Sequence, residues 1–184
     1  MEYKLNILIC TMPERAWMLK RLIEKLSVQI DPLLVEIIIN DNSRGSIGEK
    51  RNWLLSQASD DGYVCFIDDD DDVSWDYVDK IFAGIVKDVD CCSLTGIINE
   101  RGREKEFVHS IRYPAYHDNG KFYERYPNHL NAIRSRIAKK FRFPEISHGE
   151  DTDWATQIKD AKILKSEHWI EGPIYFYDPS SNRR

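Results

Sequence analysis

The sequence contains no apolar run long enough to span a membrane. Its longest apolar stretches, Ile7–Cys10 and Val35–Ile39, are far shorter than the roughly 20 residues that a spanning helix needs. The first residues also do not resemble a secretory signal peptide, because their short apolar run is followed by Pro13, Glu14 and Arg15. These absences argue against a membrane-spanning or secreted protein and predict a cytoplasmic one.

Cysteine pairs, glycine-rich loops and excess positive charge are scarce too. The four cysteines form no Cys-x-x-Cys pair and no zinc-like spacing, so we expect buried, reduced thiols. No Gly-x-Gly-x-x-Gly or P-loop sequence is present, which argues against dinucleotide or ATP binding through those motifs. The net charge of −5 gives no strong signal for a nucleic-acid surface.

Apolar residues, in contrast, are plentiful enough for a packed core, since 42% of the 184 residues are hydrophobic and 11% are aromatic. This length fits one domain, spanning 1–184. Short apolar runs at Asn6–Cys10, Val35–Ile39 and Tyr63–Ile67 are typical of buried strands, and segments with helical spacing separate them. We therefore predict an α/β fold with a central, mostly parallel or mixed sheet flanked by helices.

The second half of the sequence is less regular. Asp118-Asn119-Gly120 is a strong turn signal and predicts a hairpin. Further strands are predicted at Cys91–Ile98, Phe107–Arg112 and Tyr175–Tyr177, and further helices are predicted to start near Ser74, Ser135 and Glu150.

Polar clusters follow the predicted strands at the points where those strands end. They are Thr11–Arg15, Asp41–Ser43 and the five consecutive aspartates Asp68–Asp72. Because the carboxyl ends of parallel strands carry the functional loops of α/β proteins, these clusters predict one shared site.

The aspartate run Asp68–Asp72 follows a buried strand directly, so its carboxylates are crowded. Like charges at short range destabilise one another unless a cation lies between them. Oxygen ligands suit Mg²⁺ or Mn²⁺, and we expect such an ion to bind phosphate oxygens as well. A solvated acidic loop before the next helix is the alternative interpretation.

A second acidic cluster, Glu150, Asp151 and Asp153, lies in the segment 148–154. Acids in the first turn of a helix complement the helix dipole, and that purely structural role stays open. A carboxylate at this position is also suited to remove a proton from a substrate.

The ordered set of motifs resembles family 2 glycosyltransferases with the GT-A fold, over roughly residues 5 to 155. The first strand and its loop (7–15), the second strand ending in an aspartate (35–43), a Gly-x-x-Arg-Asn segment (48–52), the aspartate run and Gly149-Glu150-Asp151 occur in the family's order. The resemblance implies a single Rossmann-like domain, with a nucleotide-sugar half at 1–98 and an acceptor and catalytic-base half at 99–184.

The resemblance also implies roles for individual residues. Asp41 would hold the nucleobase in a pocket lined by Thr11, Pro13 and Arg15, and Arg51 would lie beside the donor. Asp68 would face the ribose or the metal, Asp70 would bind the metal, and Asp69 belongs to the donor site because the register of the five aspartates is ambiguous. Asp151 would be the general base, and Asn131 and Glu150 would contact the acceptor.

The activity implied in this way is metal-dependent, inverting transfer of a sugar from a nucleoside diphosphate donor to a hydroxyl. UDP is the most frequent carrier in the family. The cofactor would be Mn²⁺ or Mg²⁺, and the acceptor would be a glycan, a lipid-linked molecule or another hydroxyl compound. An acceptor in a membrane would bring the protein to the membrane surface.

Two other functions stay open at this point. Asp69-Asp70-Asp71-Asp72-Val73 also fits the Asp-x-Asp-x-Thr/Val pattern of haloacid-dehalogenase-like phosphatases, in which Asp69 would be the nucleophile. A nucleotide-sugar-binding module without catalysis is the second. The sequence also leaves open whether one of its five tryptophans stacks on a sugar and whether His168 is a metal ligand.

Overall fold

The computed structural model of the protein describes residues 3–100 and 102–177, so the ends of the predicted 1–184 domain lie outside the described residues. Within them the chain forms an α/β fold with strands in two sheets. Its α-helices are α1 (Ala16–Ser27), α2 (Ile47–Gln57), α3 (Tyr77–Ile85), α4 (Ser135–Ala138) and α5 (Glu150–Asp160).

The first sheet contains the three strands predicted for the first half of the chain. Its order is β11-β5-β10-β3-β1-β2, with β1 parallel to both β2 and β3, and β10 antiparallel to its neighbours. The strands are β1 (Lys4–Cys10), β2 (Val35–Asn40), β3 (Gly62–Phe66), β5 (Cys91–Cys92), β10 (Ile133–Arg134) and β11 (Glu167–His168).

The second sheet is mixed and is built mostly from the second half of the chain. Its order is β4-β12-β6-β7-β9-β8, and its core is the antiparallel pair of β6 and β7. The strands are β4 (Asp72–Val73), β6 (Leu94–Glu100), β7 (Arg103–His109), β8 (His117–Asp118), β9 (Phe122–Arg125) and β12 (Tyr175–Tyr177). The predicted α/β fold with a mixed sheet flanked by helices is thus confirmed, but the described chain has two such sheets where the sequence predicts one.

The predicted fourth strand, Cys91–Ile98, is divided between the two sheets at Ser93. The Ser93 amide donates to the carbonyl of His168, and its hydroxyl accepts a hydrogen bond from the amide of Ile170. These contacts turn the chain from β5 in the first sheet into β6 in the second. The apolar pattern is continuous through this point, because the residues on both sides of Ser93 are buried.

Apolar side chains of both sheets meet in one core. Ile7, Tyr63 and Cys65 of the first sheet belong to the same buried cluster as Phe107 and Tyr175 of the second. Burial of this kind is the main stabilising contribution to a fold. Because the sheets share a core, the loops at the ends of β1 and β3 are held against the second sheet.

The helix ends differ in detail from the sequence expectations. α2 begins with a capping box, in which Ser46 accepts from the Glu49 amide and the Glu49 side chain accepts from the Ser46 amide. The residue before α3 is Asp76 rather than the predicted Ser74, whose hydroxyl donates to the Asp76 carboxylate. The predicted hairpin at 118–120 is confirmed, since β8 and β9 pair antiparallel.

Among residues 3–100 and 102–177, no helix is both long enough and apolar enough to cross a lipid bilayer.

Candidate functional site

A cavity of about 720 Å³ lies where the carboxyl ends of β1 and β3 face the second sheet and the start of α5. Cys10 comes from the end of β1, and Asp68 follows β3. Tyr123 and Arg125 of β9 form part of the opposite wall. The aspartate run and the second acidic cluster thus lie at the same cavity, although they are widely separated in the sequence.

Arg51 joins the two acidic clusters. Its guanidinium donates to Asp68 Oδ1 at 3.0 Å and to Glu150 Oε1 at 2.8 Å. The Arg51 and Glu150 side chains are only 5% and 6% exposed, so their ion pair is shielded from water, whereas the Asp68 side chain is 34% exposed. Burial alone would raise the pKa of Asp68, but Arg51 and the nearby His129 lower it well below its usual value.

The next two aspartates bind residues from the loop after β1. Asp69 is 2% exposed, and its carboxylate accepts hydrogen bonds from Thr11 Oγ1 at 2.7 Å and from Arg15 Nη1 at 2.9 Å. Arg15 Nη1 also lies 3.4 Å from Asp70 Oδ2. The predicted donor residues Thr11 and Arg15 are therefore placed against the aspartate run itself.

The last two aspartates have partners from α1 and β12. Tyr175 donates its hydroxyl hydrogen to Asp71 Oδ2 at 2.6 Å, and its oxygen accepts from the Asp68 amide at 3.2 Å. Lys25 of α1 donates to both oxygens of Asp72 at 3.0 Å. Protein groups thus provide much of the neutralising charge for which the sequence predicts a metal ion.

Two carboxylate oxygens of the run nevertheless stay buried without a hydrogen-bond donor, Asp70 Oδ2 and Asp71 Oδ1. Burial raises the pKa of Asp70 and raises that of Asp71 well above its usual value, and the neighbouring aspartates add to both shifts. Buried, unpaired anionic oxygens are costly unless they bind a proton or a cation.

The described residues contain no group of three His, Cys, Asp or Glu side chains arranged to hold a metal ion. Two carboxylates are nevertheless enough protein ligands for Mg²⁺, which commonly completes its shell with water and substrate phosphates. Asp70 and Asp71, each with a buried oxygen that accepts no hydrogen bond, are the residues of the run that could supply such ligands, although Arg15 lies 3.4 Å from that oxygen of Asp70. Asp68, the other predicted ligand, is instead paired with Arg51.

Asp151 lies in the first turn of α5, on the cavity wall that faces the aspartate run. Gly149 precedes the helix with φ +84°, a left-handed conformation that glycine adopts without strain. Burial alone would raise the pKa of Asp151, but His129, Arg51 and Arg125 lower it more. The carboxylate is therefore ionised at neutral pH, as a proton acceptor must be.

His129 lies between the two acidic clusters. Its Nε2 is 3.7 Å from Asp68 Oδ2 and its Nδ1 is 3.9 Å from Asp151 Oδ2, beyond hydrogen-bond range, and both ring nitrogens are buried without a partner. The position is fixed because the His129 carbonyl accepts from the amide of Phe66 at 2.8 Å. Burial and the charge of Arg51 lower the pKa of His129, so the ring is neutral at pH 7.

Other predicted site residues lie away from the cavity lining. Pro13 and Asp41 are exposed and do not line it. Asn131 is 1% exposed, and its side chain donates a hydrogen bond to the Cys92 carbonyl and accepts one from the Asn128 amide. It therefore stabilises the loop to which it belongs. His168 lies in β11 with its Nδ1 3.1 Å from Lys87 Nζ, also outside the lining.

The second sheet contributes an aromatic wall that the sequence does not predict. Tyr116 and Tyr123 stack with ring centroids 5.7 Å apart, and Tyr177 lines the same side of the site. None of the five tryptophans, all within the described residues, lines the cavity. His129 and these tyrosines have no local sequence signal, because their place at the cavity depends on how separate segments of the chain pack together.

Neither a protein-family model nor a curated protein matches this chain. The fold and site define an α/β protein with two mixed sheets and an acidic cavity at the ends of β1 and β3. The similarity to family 2 glycosyltransferases stays a prediction based on the motifs.

Proposed function

We propose that the protein is a metal-dependent inverting glycosyltransferase that moves a sugar from a nucleoside diphosphate donor, such as a UDP-sugar, to an acceptor hydroxyl. One observation carries the proposal. The two acidic clusters line one cavity, where Arg51 pairs with both of them and His129 lies between Asp68 and Asp151. The residues proposed to hold the donor and the residue proposed to take the proton therefore line the same cavity.

The charge of the cavity supports a donor that enters together with a cation. Acidic residues outnumber arginines in its lining, and no lysine among the described residues contributes to it. Repulsion would keep a bare diphosphate out of such a site. The acids are Asp68, Asp69, Asp70, Asp71, Glu100, Glu150 and Asp151, and the bases are Arg15, Arg51 and Arg125.

Asp70 and Asp71 are the residues that would hold Mg²⁺ or Mn²⁺, because each has a carboxylate oxygen without a hydrogen-bond donor. When bound, such an ion offsets the charge that develops on the departing diphosphate. Arg51 keeps Asp68 and Glu150 in fixed positions beside the donor. Fixed charges of this kind stabilise a transition state without reorganisation during the reaction.

Asp151 takes the proton of the acceptor hydroxyl in this proposal. As the acceptor oxygen bonds to the anomeric carbon, the bond from that carbon to the diphosphate breaks, and the hydroxyl proton passes to the Asp151 carboxylate. The lowered pKa of Asp151 keeps its carboxylate ionised at neutral pH, which is the form that can accept a proton.

The phosphatase alternative receives no support from the geometry. Asp69, the nucleophile in that alternative, is only 2% exposed, and its two oxygens hold Thr11 and Arg15, so it is placed as a structural anchor rather than as an accessible nucleophile. A binding module without catalysis differs from the proposed enzyme only in turnover, so an assay of donor breakdown separates them.

Thermal unfolding in the presence of UDP, GDP or CDP, each with and without MnCl₂, tests the proposal. At about 100 times the dissociation constant, a bound nucleotide should raise Tm by about 5–10 °C. We expect this shift for at least one nucleotide and only with manganese. Absence of any manganese-dependent shift would contradict the metal-dependent donor site.

Two variants assign the effect to the aspartate run. Asp70→Asn should lose the manganese-dependent shift, because it removes an anionic ligand. Asp61→Asn changes an exposed aspartate outside the cavity and should keep the wild-type shift. Equal shifts in both variants would show that the metal binds elsewhere.

A further inference from the structure

The second-sheet wall of the cavity presents an aromatic ring to the solvent. Tyr116 lines the cavity and is 63% exposed, so most of its surface is open to a ligand. Among the described residues that line the cavity, no other large hydrophobic side chain is as exposed as Tyr116. Exposed aromatic surface beside a polar site commonly marks a binding surface.

The ring of Tyr116 packs on a side chain that is itself held in place. It stacks on Tyr123, and the Lys105 ammonium lies 4.1 Å from the centroid of the Tyr123 ring. The Tyr123 hydroxyl donates to Glu100 at 3.1 Å, and Lys105 pairs with Asp118 across the β8–β9 hairpin region. These contacts fix Tyr123, so Tyr116 rests on a support that two strands hold in place.

Hydrogen-bonding groups flank the ring. The Arg125 guanidinium lies 5.9 Å from the Tyr116 centroid, and Glu100 lines the cavity beside Tyr123. Within the described residues no acidic side chain forms an ion pair with Arg125. Its positive charge helps to lower the pKa of Asp151, so this wall adjoins the proposed base.

A sugar ring matches this arrangement. One face of a pyranose carries C–H groups that pack on an aromatic ring, and its edge carries hydroxyls that bond to guanidinium and carboxylate groups. The excess of acids in the cavity disfavours an anionic molecule that brings no cation of its own. The ligand that fits is therefore a neutral saccharide.

We propose that the wall formed by Tyr116, Tyr123, Glu100 and Arg125 is the acceptor site, and that the acceptor is a neutral saccharide whose ring packs on Tyr116. This inference rests on the proposed glycosyl transfer. It chooses one class among acceptor hydroxyls, since a phosphorylated or lipid-pyrophosphate acceptor would meet the acidic lining.

Saturation-transfer NMR with methyl glycosides of glucose, galactose, mannose and N-acetylglucosamine tests the saccharide site without requiring turnover. The wild type should transfer saturation to the ring C–H protons of at least one glycoside, and Tyr116→Ala should lose that signal. Glucose 1-phosphate serves as the anionic probe and should bind more weakly. Binding of the anionic probe alone, or no glycoside binding by the wild type, would overturn the inference.

Kinetics then assign the site to the acceptor. With the donor and manganese held constant, Tyr116→Ala should raise KM for the bound glycoside about tenfold, a larger change than in KM for the donor. Tyr116→Phe keeps the ring and should restore most of the lost acceptor affinity. Trp17→Ala removes a 60% exposed aromatic outside the cavity and should match the wild type. Weaker donor binding in Tyr116→Ala would place the ring at the donor and overturn the inference.

Loss of the glycosyltransferase function and loss of the acceptor site would give different experimental results. Glycoside binding without any donor breakdown would remove the glycosyltransferase function and leave a saccharide site. Donor hydrolysis with an unchanged acceptor KM in Tyr116→Ala would leave the enzyme and remove this acceptor site.

Discussion

The two walls of the cavity are held in place by different forces. On the first-sheet side, charged side chains from distant parts of the sequence pair with one another, as Arg51 does with Asp68 and Glu150. On the second-sheet side, stacked rings and hairpin pairing hold Tyr116 against Tyr123. The comparison teaches that two walls of one cavity can be stabilised by different contacts, buried ion pairs on one side and stacked rings on the other.

Asp151→Asn should have the largest effect, because it removes the proposed proton acceptor from the charged wall. General-base catalysis is commonly worth about 10²–10⁴-fold in rate. We expect a loss of transfer in that range, measured with saturating donor, and donor affinity within about twofold of the wild type. Wild-type transfer by this variant would show that another group takes the proton.

Arg51→Met tests how much the charged wall depends on its central ion pairs. The substitution leaves two carboxylates, Asp68 and Glu150, without their buried cation, which should cost about 3–5 kcal/mol of the free energy of unfolding.

The matched control for this loss is Lys20→Met at the exposed pair with Glu24. Exposed ion pairs contribute about 0–1 kcal/mol, so the control should unfold at nearly the wild-type urea concentration. Similar losses in the two variants would contradict the shielded character of the Arg51 pairs.

Tyr175→Phe tests the link between the walls, because Tyr175 belongs to the second sheet and binds the aspartate run of the first. Removing its hydroxyl leaves the Asp71 carboxylate and the Asp68 amide without that partner, at a cost of about 1–3 kcal/mol. Urea unfolding measures this loss. Tyr113 does not line the cavity, and Tyr113→Phe should change stability little. An equal loss in this variant would show that the Tyr175 hydroxyl has no special role.

The smallest expected effect concerns His109, which lies on the second-sheet side and is 2% exposed. Burial and the charge of Arg125 lower its pKa to about 3. The unfolded chain has a His pKa of about 6.5 and binds this proton first as the pH falls. The contribution of His109 to stability is therefore complete above about pH 6.5 and is lost as the pH falls from there towards the folded pKa.

The measurement is the free energy of unfolding between pH 5 and pH 6.5. His109→Gln should reduce its pH slope by up to about 1.4 kcal/mol per pH unit. Identical slopes in the wild type and His109→Gln would show that His109 does not titrate on unfolding.

The sequence predicts the first-sheet wall better than the second. The runs ending at Cys10 and Ile67 are short, apolar and followed at once by polar residues, so their strands and the position of the aspartate run follow from local pattern. The division of 91–98 between two sheets does not, because it depends on Glu167–His168 and Tyr175–Tyr177 pairing from far along the chain.

The same contrast applies to the site residues. Arg51, Asp68 and Asp151 belong to recognisable motifs, and the structure brings them to one cavity. His129 and Tyr116 carry no such signal, since a single polar or aromatic residue reaches the cavity only through tertiary contacts. The pairing of the aspartates with Arg15, Arg51 and Lys25 was likewise not predictable from the crowding of charges alone.

The most direct test of the central claim is the release of nucleoside diphosphate from a panel of nucleotide sugars, measured with manganese and again with EDTA. The wild type should release the nucleotide from at least one donor, and EDTA should abolish the release. If no donor is broken down or bound in a manganese-dependent way, the acidic cavity is not a glycosyltransferase site.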